Sequence, residues 1–156
     1  MKSFRPILTL TLVLVTTLLV SCGGPNTETK PPTYTSEKIS EIQTYITPVN
    51  IARDQMTELE NLIEKGDWVD VDSLIHGRLG QLRSDMSYVT RKLLPRDQEQ
   101  AQQLAKKVFQ DLERIDVAAK EKDSRKAQKN YNQALQDFDA FLELVPEESE
   151  SETASA

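Results

Sequence analysis

Apolar residues recur at intervals of three and four along most of this chain, and this period constrains the fold more than any other feature. The four stripes cover residues 39–63, 71–93, 101–119 and 127–145. Such spacing places the apolar side chains on one face of an α-helix, whereas a strand would need a period of two. Because short connections make successive helices antiparallel, the pattern predicts an all-α, up-down-up-down four-helix bundle over residues 36–146.

Prolines and polar residues predict where the helices start and stop. Pro48 falls inside the first stripe, and an interior proline removes a hydrogen bond and clashes with the preceding turn. We therefore expect a kink or break near Thr47. Asp97, with Gln100 three residues later, resembles a capping box at the start of the third helix.

Two glycines and three aromatic residues mark special positions in the stripes. Gly77 and Gly80 lie inside the second stripe, which favours either a close approach by another backbone or simple tolerance of the glycines. Tyr131, Phe138 and Phe141 lie on the fourth stripe. At that spacing they are expected to fill one end of the core.

The N-terminal stretch is typical of an exported lipoprotein. Lys2 and Arg5 precede an apolar run over 7–20, and residues 18–24 read LLVSCGG. This order predicts a lipoprotein signal peptide over 1–21 and lipidation of Cys22, the single cysteine. An ordinary signal peptide or an N-terminal anchor helix are the alternatives, although the apolar run is shorter than the roughly 20 residues of a membrane span.

Two segments lack the composition needed to build a core. Residues 22–35 contain glycine, proline and threonine with almost nothing apolar, which predicts a flexible tether from the lipidated Cys22. Residues 147–156 form an acidic tail that we expect to be disordered.

Composition excludes several functional classes. The chain has a net charge of −6 and becomes more acidic if Lys2 and Arg5 leave with the signal. Nucleic-acid binding depends largely on phosphate neutralisation, so nucleic acid is not an expected partner. With one histidine, no cysteine beyond Cys22 and no glycine-rich phosphate loop, we expect no catalytic residues and no enzyme.

One pair of side chains could bind a metal. Asp72 and His76 are four residues apart and share a helix face, and both residue types can ligate zinc. Two ligands are too few for a site, so a surface histidine is the ordinary interpretation and the expected metal site is none. A haem between His76 and Met56 or Met86 is a more remote alternative.

Basic side chains form two groups that could bind a partner. The first group lies around the start of the fourth helix and the second around the end of the second helix. The first comprises Lys120, Lys122, Arg125, Lys126 and Lys129, and the second Arg83, Arg91, Lys92 and Arg96. Either a solvated charged face or a docking surface for an acidic partner explains them. At the start of a helix the first group also opposes the helix dipole.

Two segments carry a specific resemblance. GRLGQLRSDMSYVTRKLLPRDQ at 77–98 and YNQALQDFDAFLELVP at 131–146 resemble the PsbQ-like extrinsic proteins of photosystem II. The lipobox and the tether are similar to those of the cyanobacterial branch of that family.

The resemblance implies a fold, a location and a role. It implies a four-helix bundle, lipid-anchored on the lumenal side of the thylakoid membrane, that contacts the photosystem II core and other extrinsic subunits. It implies stabilisation of the oxygen-evolving complex and its manganese–calcium cluster, calcium and chloride without direct binding of a cofactor. Calcium binding is a family-level expectation only.

Two other functions remain open from the residues alone. One is a lipid-anchored adaptor or assembly factor of another membrane complex. The other is a bundle that carries a metal or a haem.

Overall fold

The computed structural model describes residues 31–147, and five α-helices account for most of them. The helices are α1, Ser36–Lys65; α2, Trp68–His76; α3, Leu82–Lys92; α4, Pro95–Glu121; and α5, Ser124–Glu143. No strand occurs in this range, so the predicted all-α class is confirmed. The predicted signal peptide, Cys22, residues 23–30 of the tether and residues 148–156 of the acidic tail lie outside the described residues.

The helices form an antiparallel bundle in which α2 and α3 together take the place of one long helix. α1 and α4 each pack against the α2–α3 pair on one side and against α5 on the other. α1 and α5 are antiparallel. Gln43 near the start of α1 donates a hydrogen bond to the Pro146 carbonyl beyond the end of α5, and Gln128 near the start of α5 donates one to Glu60 near the end of α1. The predicted bundle is confirmed.

The second predicted helix is interrupted, so the expectation of one continuous helix was wrong. Residues 77–81 form a turn between α2 and α3. A Cβ atom on Gly77 would lie 2.5 Å from the Ser73 carbonyl oxygen, and one on Gly80 would lie 2.6 Å from that of His76. The backbone of the turn itself therefore requires these glycines.

Pro48 does not end a helix, so of the kink or break expected near Thr47 the break does not occur. α1 is a single helix that contains Pro48 on its exposed face. Ile46 and Val49, on either side, are 4% and 0% exposed. Burial of such side chains stabilises by about 1.5–3 kcal/mol each. Together they offset the roughly 3 kcal/mol cost of an interior proline.

The predicted capping box at the start of the third predicted helix is also absent. α4 begins at Pro95, with Leu94 as the N-cap residue and no side-chain cap bond. Proline is favoured at the first helical position because its missing N–H would have no partner there. Asp97 accepts a hydrogen bond from Tyr34 instead.

The core contains the predicted stripes. All eight apolar positions of the first stripe are buried, as are Tyr131, Phe138 and Phe141 on α5. The predicted aromatic core is therefore confirmed.

Candidate docking interface

The first basic group surrounds the junction of α4 and α5. Lys120 Nζ lies 2.7 Å from Asp116 Oδ2, and this contact raises the pKa of Lys120. Lys126 Nζ lies 2.7 Å from Glu121 Oε2. The remaining three members make no ion pair with any residue in 31–147: Lys122, Arg125 and Lys129. Only part of this group is therefore available to a partner without breaking an internal pair.

The conflict with the helix dipole at the start of α5 is partly offset. Asp123 is the N-cap residue, and its carboxylate accepts a hydrogen bond from the Lys126 N–H at 3.0 Å. That bond is the main cause of a lowered pKa for Asp123. A negative charge at a helix N-terminus is favourable. The Asp123 carboxylate therefore compensates part of the unfavourable interaction between the helix dipole and the cations that follow.

Three members of the second basic group, Arg91, Lys92 and Arg96, lie at the opposite end of the bundle, whereas Arg83 lies nearer its middle. Lys92 Nζ is 2.5 Å from Glu41 Oε1 on α1. The hydrogen bond from Lys92, with a second from Lys38, lowers the pKa of Glu41. Arg83 reaches Glu113 on α4 at 3.2 Å. Each ion pair joins two helices.

Two exposed tyrosines stack beside this second group. The rings of Tyr45 on α1 and Tyr88 on α3 have centroids 6.4 Å apart and planes inclined by 22°. The Arg91 guanidinium lies 4.6 Å from the Tyr88 centroid, and Lys92 Nζ lies 5.1 Å from that of Tyr45. Arg91 also donates to the Ser87 hydroxyl at 2.7 Å. Cations and aromatic rings thus form one continuous surface.

A groove of about 750 Å³ runs between α3 and α4 next to the tyrosines. Three cations line it, Arg83, Arg91 and Lys106, against one carboxylate, Glu99. The Arg83 guanidinium lies 4.3 Å from the centroid of Phe109, which forms part of the wall. The groove is therefore basic and has an aromatic side.

Tyr34, just before α1, contacts the loop between α3 and α4. Its hydroxyl donates to Asp97 Oδ2 at 2.7 Å and accepts from the Leu94 N–H at 3.0 Å. Arg96, the last member of the second group, lies 3.5 Å from Asp97 and over the Tyr34 ring at 5.9 Å. Burial raises the pKa of Tyr34 to about 12, with further increases from the Asp97 hydrogen bond and charge.

Three carboxylates are buried, and none of them is among the candidate residues that the sequence indicated. Asp111, Asp116 and Asp137 are 2%, 9% and 6% exposed. Arg114 lies 2.6 Å from Asp111, and Lys107 lies 3.6 Å from Asp137. Each buried carboxylate therefore has a cation beside it.

The spacing of the stripes contained a signal for these carboxylates. Asp111 comes three residues after Val108 and four before Ile115, both fully buried. Asp137 stands in the same relation to Ala134 and Phe141. An acidic residue at an apolar stripe position is thus a sign of a buried carboxylate.

The structure brings a third potential ligand to the pair Asp72 and His76. His76 Nε2 lies 3.6 Å from Asp72 Oδ1 and 3.4 Å from Asp116 Oδ1 on α4. The three ligand atoms lie within 4.8 Å of one another. Burial would raise the pKa of Asp116, but Lys120 and His76 outweigh it and lower that pKa. These residues could hold a cation, or a protonated His76 could bridge α2 to α4.

The residues considered for a haem lie in different environments. Met56 and Met86 are fully buried in the core, whereas the His76 side chain is 59% exposed. The structure does not favour a haem ligand pair from these residues.

The fold and the surface together define a small helical-bundle protein with a charged surface. Its polar features are ion pairs between helices, cation–π contacts and an open basic groove. None of the helices in the described part of the chain has the length and apolar character needed to span a bilayer.

The chain belongs to the PsbQ family. The sequence profile of that family, described as oxygen evolving enhancer protein 3, matches residues 2–146. The chain is also similar to the CyanoQ protein of Synechocystis sp. (strain ATCC 27184 / PCC 6803 / Kazusa), with 50% identity over 150 residues. That alignment covers 96% of this chain and 100% of the relative. The resemblance found in the sequence is confirmed.

Proposed function

We propose that the chain is a non-enzymatic extrinsic subunit of photosystem II that stabilises the oxygen-evolving complex. The main support is the PsbQ-family match, which includes all five helices and both basic groups. In this proposal the chain favours calcium and chloride retention and assembly around the manganese–calcium cluster. It acts through protein contacts and binds no cofactor directly.

The proposed location is the lumenal side of the thylakoid membrane. Residues 1–21 would direct export and Cys22 would carry the acyl chains, as the LLVSCGG sequence indicates. Residues 22–35 would then tether the bundle over 36–146, with 147–156 as a free acidic tail. Two or more acyl chains hold a protein stably on a membrane without spanning it.

Docking on the photosystem II core and its other extrinsic subunits is proposed to use exposed cations of the two basic groups. Lys122, Arg125 and Lys129 have no internal ion pair within residues 31–147, and Arg91 bonds only a serine hydroxyl there. Charged surfaces of this kind set the rate of encounter and the register of a complex more than its affinity.

Affinity isolation of a C-terminally tagged protein from cyanobacterial thylakoids tests the assignment. Photosystem II core subunits are expected to co-purify with the tagged chain and to be absent from an untagged control strain. Recovery of another membrane complex without photosystem II would replace this proposal with the adaptor or assembly-factor alternative.

The anchor is tested separately by changing Cys22→Ser. The variant should lose the acyl modification and leave the membrane or remain unprocessed. Ser21→Ala is the matched control, because it keeps a small residue before an intact Cys22 and should remain anchored. A Cys22→Ser protein that is cleaved yet still partitions into detergent would refute the lipoprotein assignment.

A further inference from the structure

We infer that the exposed face of α3 is the docking site for an acidic segment of a protein partner. This α3 surface comprises Arg83, Ser87, Tyr88 and Arg91, together with Tyr45 of α1. The inference rests on the proposed photosystem II function and adds to it the face that docks and the chemistry of what it binds.

Exposed aromatic area is the first observation. Tyr88 is 48% exposed and Tyr45 is 37% exposed, although both are large aromatic side chains. The two rings stack on each other at the surface. Tyrosine and arginine are the residues that most often dominate binding energy at protein interfaces, and stacked rings lose little conformational freedom on binding.

Arg91 is the second observation, because it connects the tyrosine pair to the basic groove. Its guanidinium lies over the Tyr88 ring and also lines the groove between α3 and α4. Its hydrogen-bond acceptor in the described part of the chain is the Ser87 hydroxyl. A guanidinium has five N–H donors and pairs a carboxylate through two of them, so Arg91 retains donors for a partner's carboxylate.

Charge indicates which partner this surface accepts. The groove has three cations and one carboxylate in a chain whose net charge is −6. An acidic segment is attracted to this face and repelled by most of the remaining surface. Its carboxylates would contact Arg91, because Arg83 is already paired with Glu113. An apolar side chain beside them would cover the tyrosine rings.

The position of this face agrees with binding to a membrane complex. Tyr34 holds the chain against Leu94 and Asp97, at the same end of the bundle as Lys92. The segment from Cys22 to Tyr34 can reach at most about 40 Å when fully extended. If Cys22 is the anchor, chain length keeps Tyr34 no farther than this from the membrane.

The first test measures binding to cyanobacterial photosystem II membranes stripped of extrinsic proteins. Arg91→Gln and Tyr88→Ala should each weaken binding about tenfold or more, the scale expected for interface hot spots. Arg91→Gln should also be released at a lower salt concentration. Arg78→Gln and Val69→Ala are matched controls, an exposed arginine and an exposed apolar residue that lie outside this face and outside both basic groups, and should bind as the unmodified chain does. Thermal melting should show that all four variants remain folded.

The second test detects the partner's carboxylate directly. Arg91→Lys keeps the charge and provides a primary amine, which a zero-length carbodiimide joins to a carboxylate in contact with it. Mass spectrometry should identify an amide between position 91 and an Asp or Glu of a photosystem II protein. Arg78→Lys, an exposed position outside both basic groups, is the control and should give no cross-link to a photosystem II protein.

The outcomes separate this inference from the proposed function. Weakened binding of the Arg91 and Tyr88 variants, with a cross-link from position 91, supports it. Unchanged binding of both variants, or a cross-link from position 78 alone, overturns it. If either occurs while the tagged chain still co-purifies with photosystem II, the proposed function stands and the docking face lies elsewhere.

Discussion

The Tyr34 hydroxyl donates a hydrogen bond to Asp97 Oδ2 at 2.7 Å, which joins the residue before the N-cap of α1 to the first turn of α4. The same hydroxyl accepts from the Leu94 N–H, at the N-cap of α4, close to backbone donors that have no partner within the helix. One side chain thus fixes where the chain enters the bundle and caps a second helix 60 residues further on.

Removing this hydroxyl should destabilise the bundle. Tyr34→Phe keeps the ring but leaves the Leu94 N–H and Asp97 without their partner, at a cost of about 1 kcal/mol. The melting temperature should fall by a few degrees. Tyr45→Phe is the matched control, because no hydrogen bond of the Tyr45 hydroxyl is present among residues 31–147. Equal melting temperatures for the two variants would show that the Tyr34 contacts do not contribute.

Alkaline pH should destabilise the bundle through two tyrosines. Burial is the main cause that raises the pKa of both Tyr34 and Tyr131 to about 12, from an ordinary value of 10.0. The fold therefore favours the protonated phenols. Their contribution to the stability of the bundle is complete below pH 10 and is lost as the pH rises towards about 12. Urea unfolding across this range should show falling stability.

Variants distinguish these tyrosines from the lysines that titrate in the same range. The double variant Tyr34→Phe, Tyr131→Phe should have a shallower loss of stability with pH. The ultraviolet absorbance of tyrosinate should likewise show two late-titrating phenols that disappear in the variant. An unchanged pH dependence would contradict the assignment.

Phe138 should contribute strongly to core stability. Its ring is fully buried on α5, and truncation of a buried phenylalanine to alanine costs about 3–5 kcal/mol. Phe138→Ala should lower the melting temperature by roughly 10 °C or more. Val69→Ala is the control, since Val69 is 79% exposed and should change stability by less than about 0.5 kcal/mol. A small shift for Phe138→Ala would mean that the cavity is filled by rearrangement.

The periodic pattern was sufficient to predict the bundle because each stripe is long and nearly continuous. The predictions that failed depended on single residues. Pro48 signals a break, yet Ile46 and Val49 keep α1 intact by burial, which is a tertiary effect. Gly77 and Gly80 left two interpretations open, a close approach by another backbone or simple tolerance, and the structure shows that the backbone of their own turn excludes a Cβ atom.

The candidate interface was predictable only in part for a similar reason. Both basic groups were visible as sequence clusters, but their members differ in whether an internal carboxylate neutralises them. Lys92 pairs with Glu41 from a helix 51 residues away, whereas Arg91 stacks on Tyr88. The Tyr45–Tyr88 stack joins two helices and has no signature in either stripe.

Substitutions of Lys122 can separate the effect of backbone strain from the effect of charge in the first basic group. It is the C-cap residue of α4 and has a φ of 56°, in the left-handed region that favours glycine. Lys122→Gly and Lys122→Ala lose the same charge, but only glycine removes the Cβ that makes this conformation unfavourable. The glycine variant should therefore be more stable than the alanine variant by about 1 kcal/mol.

At an interior position of the same helix, the alanine variant should instead be more stable than the glycine variant. Lys106 is exposed in the interior of α4, where glycine is about 1 kcal/mol less favourable than alanine. Urea unfolding of the four variants gives both differences. If glycine were also the less stable residue at position 122, the left-handed cap would not be the conformation in solution. If the order is as expected, Lys122→Gly removes one docking cation without straining the cap of α4. Any loss of binding to photosystem II membranes can then be assigned to the lost charge.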